Sequence, residues 1–302
     1  MVPNLRFSYK GDWSKRKLNE ICLFFKGNGL SKSDLSNEGF PCILYGELYT
    51  TYKNEVISDI ISKTNTTLSN PFLSRNNDLI IPGSGEDPID IAVARAIYQN
   101  DIILGGDLNI LRPKSNVSAA FLSYQLNGVR RYDIAKKAQG KSIVHLHNSD
   151  LKEVLVSIPS YDEQLHIVKL LTKIDEMIET QIKIIDDYNS LKMGIYNCMF
   201  KENYADYKLK QLAYIVKGDQ INNDQLLSNG SYYMMNGGAS PSGYLDSYNV
   251  SENTISISEG GNSCGYVQFN SSPFWSGGHC YTIQNVNSAL IENKYLYHYL
   301  KC

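Results

Sequence analysis

The chain has 302 residues, 42% of them hydrophobic and 20% charged, with a formal net charge of −2. That length allows two globular domains with sizeable cores, no apolar run approaches a membrane span, and the polar opening MVPNLRFSYKGDWSKRK is unlike a secretory signal. A near-neutral total argues mildly against a nucleic-acid binder, but the distribution is uneven: 19 basic and 16 acidic groups in residues 1–161, 4 and 7 in 162–200, 6 and 8 in 201–302.

The first domain opens at residues 13–52 with WSKRKLNEICLFFKGNGLSKSDLSNEGFPCILYGELYTTY. Short β-rich runs such as Asp78–Ile81 follow, broken by glycine-rich turns, and a short helix is expected near Ala119–Gly128. Positive charge then concentrates. Arg130, Arg131, Lys136, Lys137 and Lys141 face a single acid, Asp133. Such a run is either the solvated face of a loop or a set of phosphate contacts, and five cations against one carboxylate favour the second.

Asp162–Phe200 is the stretch that organises the chain. Ile167, Leu170, Ile174, Met177, Ile184, Tyr188, Leu191 and Ile195 recur at steps of three and four, with a polar Gln181 in the middle. That is the heptad-like period of a helix burying a long seam against another helix. Pro159 precedes it, and Ser160 or Asp162 with Glu163 is the expected cap. At 1.5 Å per residue it would reach roughly 58 Å, a spacer rather than a core helix.

Beyond the helix the opening repeats at residues 204–244. Lys17-Leu18 matches Lys208-Leu209, Lys26-Gly27 matches Lys217-Gly218 and Gly39 matches Gly230, at an offset of about 191. After insertions NDLIIPGSG (77–85) parallels ENTISISEGG (252–261), Gly105-Gly106 parallels Gly277-Gly278, and FLSYQL (121–126) parallels YLYHYL (295–300). The matches keep their order, so one mixed α/β fold built twice is expected. Its divisions are residues 1–150, a junction and spacer helix at 151–201, and residues 202–302. The second repeat is expected to be incomplete, lacking a closing segment and second helix of roughly 75 residues.

The run Gly140-Lys141-Ser142, Leu146, Asp150-Leu151, Val156-Ser157-Ile158-Pro159 and Glu163-Gln164, entering a heptad helix, resembles a signature of the specificity subunit of type I restriction-modification enzymes. YGELYTTY (45–52), GGDLNILRP (105–113), ISEGGNSCGYV (257–267) and FWSGGHCYTI (274–283) also resemble segments of that family's target-recognition domains. The resemblance implies two such domains joined by a long coiled-coil-type helix, each reading half of a split duplex target. It implies a non-catalytic role in DNA methylation: methyltransferase subunits carry S-adenosylmethionine and dock on this one, and a restriction subunit cleaves. A cytoplasmic location is expected.

Candidate DNA contacts follow from this. Tyr45, Glu47, Tyr49, Thr50, Thr51 and Tyr52 offer groups for base edges or phosphates, although tyrosine also favours strands and cores. On the resemblance, the glycine-rich and aromatic segments add Ser84, Asn236, Ser242, Tyr244, Asn262, Trp275 and His279.

Other chemistries fit less well. The turns at Pro82–Gly85 and Glu259–Ser263 lack the lysine or helix start of a phosphate cradle. His279, Cys280 and Cys264 lack the spacing of a closed zinc site, and adjacent strand residues cannot pair as nucleophile and base. The six cysteines, Cys22, Cys42, Cys198, Cys264, Cys280 and Cys302, form no CxxC and read as reduced thiols. A scaffold without DNA specificity, pairing with a second copy through the long helix, is the alternative.

Overall fold

The computed structural model describes residues 6, 7, 9, 11–200 and 207–301. It divides into two compact units, Met1–Ile182 and Lys183–Cys302.

Unit 1 is built on a five-stranded sheet in the order Cys22–Lys26, Leu108–Pro113, Asp78–Pro82, Arg95–Ile97, Val56–Ile57. Successive strand residues face opposite ways, and the central strands use both faces. Leu79, Ile81 and Leu111 join the helix Ala119–Asn127 in one core. Ile80, Leu108 and Ile110 join Ile43 and Leu48 in the other. Asp78, fully buried, accepts from Nε and Nη2 of the Arg112 guanidinium at 2.7 Å each, a bidentate pair that ties two neighbouring interior strands together.

The junction belongs to this unit. Ser14–Lys17 pairs antiparallel with Leu155–Ile158, while Leu151, Val154 and Val156 lie in the first core. The first unit therefore runs on past residue 150, where the sequence placed its end.

Unit 2 repeats the plan with a four-stranded antiparallel sheet, Tyr214–Lys217, Cys280–Gln284, Thr254–Ser258, Val267–Asn270. The registers agree pair by pair. Lys26 faces Asn109 as Lys217 faces Tyr281, and Pro82 faces Leu108 as Ser258 faces Cys280. The parallel pair Cys42 and Ile103 has its counterpart in Met234 and Trp275. The matched glycines have a steric cause. A Cβ on Gly27 would stand 2.0 Å from the Gly105 carbonyl oxygen, and one on Gly218 would stand 2.3 Å from that of Gly277. Only glycine permits that approach.

The long helix is Tyr161–Phe200. Ser160 caps it, its hydroxyl accepting from the Glu163 amide at 3.4 Å. Asp162 does not serve as the cap, and Glu163 is turned to another use. The first turns rest on unit 1: Val168 packs on the first core, and the Tyr124 hydroxyl donates to Asp175. Ile167 is half-buried, whereas Leu170, Ile174, Met177, Ile184, Tyr188 and Leu191 are exposed. Every residue from 176 to 195 is exposed, so most of the expected seam is open to solvent.

Candidate nucleic-acid interface

In the run Tyr45 to Tyr52 most side chains serve the fold. Glu47 opens the short helix Glu47–Thr50, and its carboxylate accepts from the Leu44 amide at 2.7 Å and from the Ser62 hydroxyl. Tyr45 packs on the second core and Tyr49 on both. Tyr52 is buried, its oxygen accepts from the Ile61 amide, and burial pushes its phenol pKa up. Thr50 and Thr51 are exposed, their hydroxyls 3.3 Å apart, with Thr50 also donating to Gly46. Tyr52 is thus corrected to a structural role, because a buried polar group keeps the partners it has. Glu47 is corrected too, since it is half-buried and has both carboxylate oxygens engaged within the fold. Ser84 is corrected in the same way: it is buried and donates to Asp107 at 3.1 Å.

The basic stretch divides into tied and free cations. Arg130 pairs with Asp133 at 3.1 Å, and Arg131 donates to the Ile89 carbonyl. Lys136 and Lys141 are exposed and Lys137 is half-buried. Among the described residues none of the three lysines makes an ion pair. Beside them the strand Val144–His145 pairs with Ser84–Gly85. His145 and His147 stand exposed on either side of the fully buried Leu146, their rings stacked at 6.2 Å. The alternation His-Leu-His was the signal for them, and the sequence reading did not use it.

In unit 2 the candidates fall into two groups. Tyr244 and Trp275 sit in the sheet Gly243–Leu245, Tyr232–Met235, Trp275–Ser276, and Ser242 directly precedes the first of these strands, its amide donating to the Met234 carbonyl. Ser242 and Tyr244 are exposed, and the Trp275 indole donates to the Asp219 backbone carbonyl at 3.4 Å. Asn236, Asn262 and His279 gather at the end of the four-stranded sheet, where Asn236 accepts from the His279 amide at 3.1 Å. Here the sequence reading missed the central group. The Glu259 carboxylate accepts from Lys217 Nζ at 2.6 Å and the Tyr281 hydroxyl at 2.9 Å, and His279 Nδ1 lies 3.5 Å away. The Lys217 hydrogen bond, then that from Tyr281, holds the Glu259 carboxyl below its ordinary range.

Cys280 is buried against Phe274 and Val250 while His279 is exposed, so the two point apart. Cys22, Cys42, Cys198, Cys264 and Cys280 are free thiols; Cys302 lies outside the described residues. Among the described residues no group of three or more His, Cys, Asp or Glu is placed to hold a metal ion. No helix among them is long and apolar enough to cross a membrane.

Two similar α/β units, with a long helix after the first and polar, glycine-rich turns at the sheet ends of both, are the features to set beside known proteins. Residues 10–186 and 201–302 match the family described as type I restriction modification DNA specificity domain, and the chain belongs to it. A protein of Mycoplasma genitalium named as a type I specificity subunit is 31% identical over 308 residues, covering 96% of this chain and 75% of that one. A specificity subunit named for the MjaX restriction enzyme of Methanocaldococcus jannaschii is 24% identical, over 65% of this chain and 47% of its own. The crystal structure of an S subunit from M. genitalium superposes with a TM-score of 0.69 at 19% identity, covering all of this chain and 79% of that one. The family's part in type I restriction-modification is recognition of DNA, without catalysis.

Proposed function

We propose that the chain selects the sequence at which a type I methyltransferase acts, each unit reading one half of a bipartite duplex target. The register-for-register identity of two units carries this reading, since a doubled reader suits a doubled target. Methyltransferase subunits holding S-adenosylmethionine dock on the chain, and a restriction subunit joins through them, in the cytoplasm. Lys136, Lys137 and Lys141 bind backbone phosphates. Replacing the three with alanine weakens binding evenly across sequences and lowers the magnitude of the log-affinity against log-salt slope by up to about 0.9 for each phosphate no longer neutralised. An unchanged slope returns the stretch to a solvated loop.

The exposed helix seam is a docking surface in the same reading. Covering one Leu or Ile side chain is worth roughly 1.5–3 kcal/mol, and Ile174, Met177, Ile184, Tyr188 and Leu191 all stand open. A second copy's helix, packed antiparallel, covers them in the chain alone, giving a two-fold pair. Light scattering then returns twice the 34.0 kDa chain mass. A lone monomer up to tens of micromolar, on the order of ordinary interface affinities, removes the pairing.

A further inference from the structure

The end of the main sheet in each unit carries a lysine and a carboxylate, ion-paired in unit 2, but the carboxylate comes from a different place. In unit 2, Lys217 meets Glu259, which follows the strand Thr254–Ser258. In unit 1 the position matching Glu259 is Gly83, because Pro82 and Ser258 occupy the same register. No side chain fits there: a Cβ on Gly83 would stand 2.7 Å from the Asp107 carbonyl oxygen and 3.2 Å from Lys26 Nζ. The acid at that corner is instead Asp107, from the turn whose counterpart in unit 2 supplies His279. Lysine is therefore kept between the copies while its acidic neighbour has been rebuilt at another position.

Neither lysine belongs to a core. Lys26, Asp107, Lys217 and His279 are exposed, and Glu259 is partly so. The corner stays open in unit 1 even though Val144–His145 covers the adjacent Ser84–Gly85. Tyr281 and the Lys217 pair hold the Glu259 carboxylate in one orientation, leaving oxygen lone pairs and two ammonium protons uncommitted.

We propose that this corner is where each unit reads base edges in the major groove, an inference that rests on the DNA-reading function above. Glu259 accepts from an exocyclic amine, cytosine N4 or adenine N6, while Lys217 and His279 donate to the acceptors of a neighbouring base. Asp107 and Lys26 do the same in unit 1 with no imidazole at the matching position. The difference gives the halves different sequences.

The test is sequencing of methylated bases in DNA exposed to the complex with its methyltransferase subunits, comparing wild type, Glu259→Gln, His279→Gln and Asp107→Asn. Glu259→Gln and His279→Gln relax the target at one or two positions within one half, by about tenfold in preference, and Asp107→Asn relaxes the other half. His279 is exposed enough that its change leaves thermal unfolding where it was, which keeps the test open if Glu259→Gln unfolds the sheet end. An unaltered target in the folded variants, or an even loss of methylation at all sites, overturns base reading at this corner. Failure of the wild-type complex to methylate a two-part target defeats the underlying function instead.

Discussion

Replacing residues 1–159 with the corresponding part of another specificity subunit yields a complex that methylates a target changed in one half only. The exchange must end after the strand Leu155–Ile158, because that strand pairs with Ser14–Lys17 and carries the fully buried Val156. A cut at residue 150 would split this pairing and strand Leu151 and Val154 outside their core, so that chimaera is expected to misfold. With the later boundary every fully buried member of both cores travels with the exchanged block, and sequence preference follows it. A change in both halves, or in neither, is incompatible with one reader per unit.

The second large effect lies where the long helix is rooted. Glu163 and Gln164 are both fully buried. Gln164 accepts from the Ser118 amide at 2.9 Å and donates to the Asn116 and Pro159 carbonyls at 3.2 and 3.1 Å. It thereby ties the helix start to the cap of Ala119–Asn127. Gln164→Ala leaves buried polar groups unpaired at about 1–3 kcal/mol each, so a loss of about 3 kcal/mol is expected from urea unfolding. Glu163 accepts from Arg6 Nε and Nη2 at 2.5 and 2.6 Å and from the Trp13 indole at 3.2 Å. The Arg6 hydrogen bond is the main cause holding its carboxyl below the ordinary range. A depressed folded value contributes stability above the unfolded value of about 4.3, and that contribution is lost as pH falls through the folded value. The melting-temperature gap between wild type and Glu163→Gln is therefore present near neutral pH and closes in acid. A gap that stays constant would contradict the ion pair as its source.

Much of the fold was legible because its causes are local or periodic. The helix announced itself through spacing alone, and the repeat through glycines that the backbone requires at Gly27 and Gly218. The same signature residues that suggested the family, Val156 and Glu163-Gln164 among them, prove to be core and anchor positions. The surface was less legible. Tyrosine and serine suit both a core and a groove, so nothing in the run 45–52 separated buried Tyr52 from exposed Thr51. Pairings such as Lys217 with Glu259, or Arg6 with Glu163, join residues 42 and 157 positions apart. Only the folded chain brings them together.

The most direct measurement is methylated-base sequencing of DNA from cells that express this chain with its methyltransferase subunits, beside cells with the methyltransferase alone. Dependence on this chain and a target of two specific halves separated by a fixed unspecific gap is the predicted result. Methylation at the same sites without the chain, or at one uninterrupted motif, would contradict a two-reader specificity subunit.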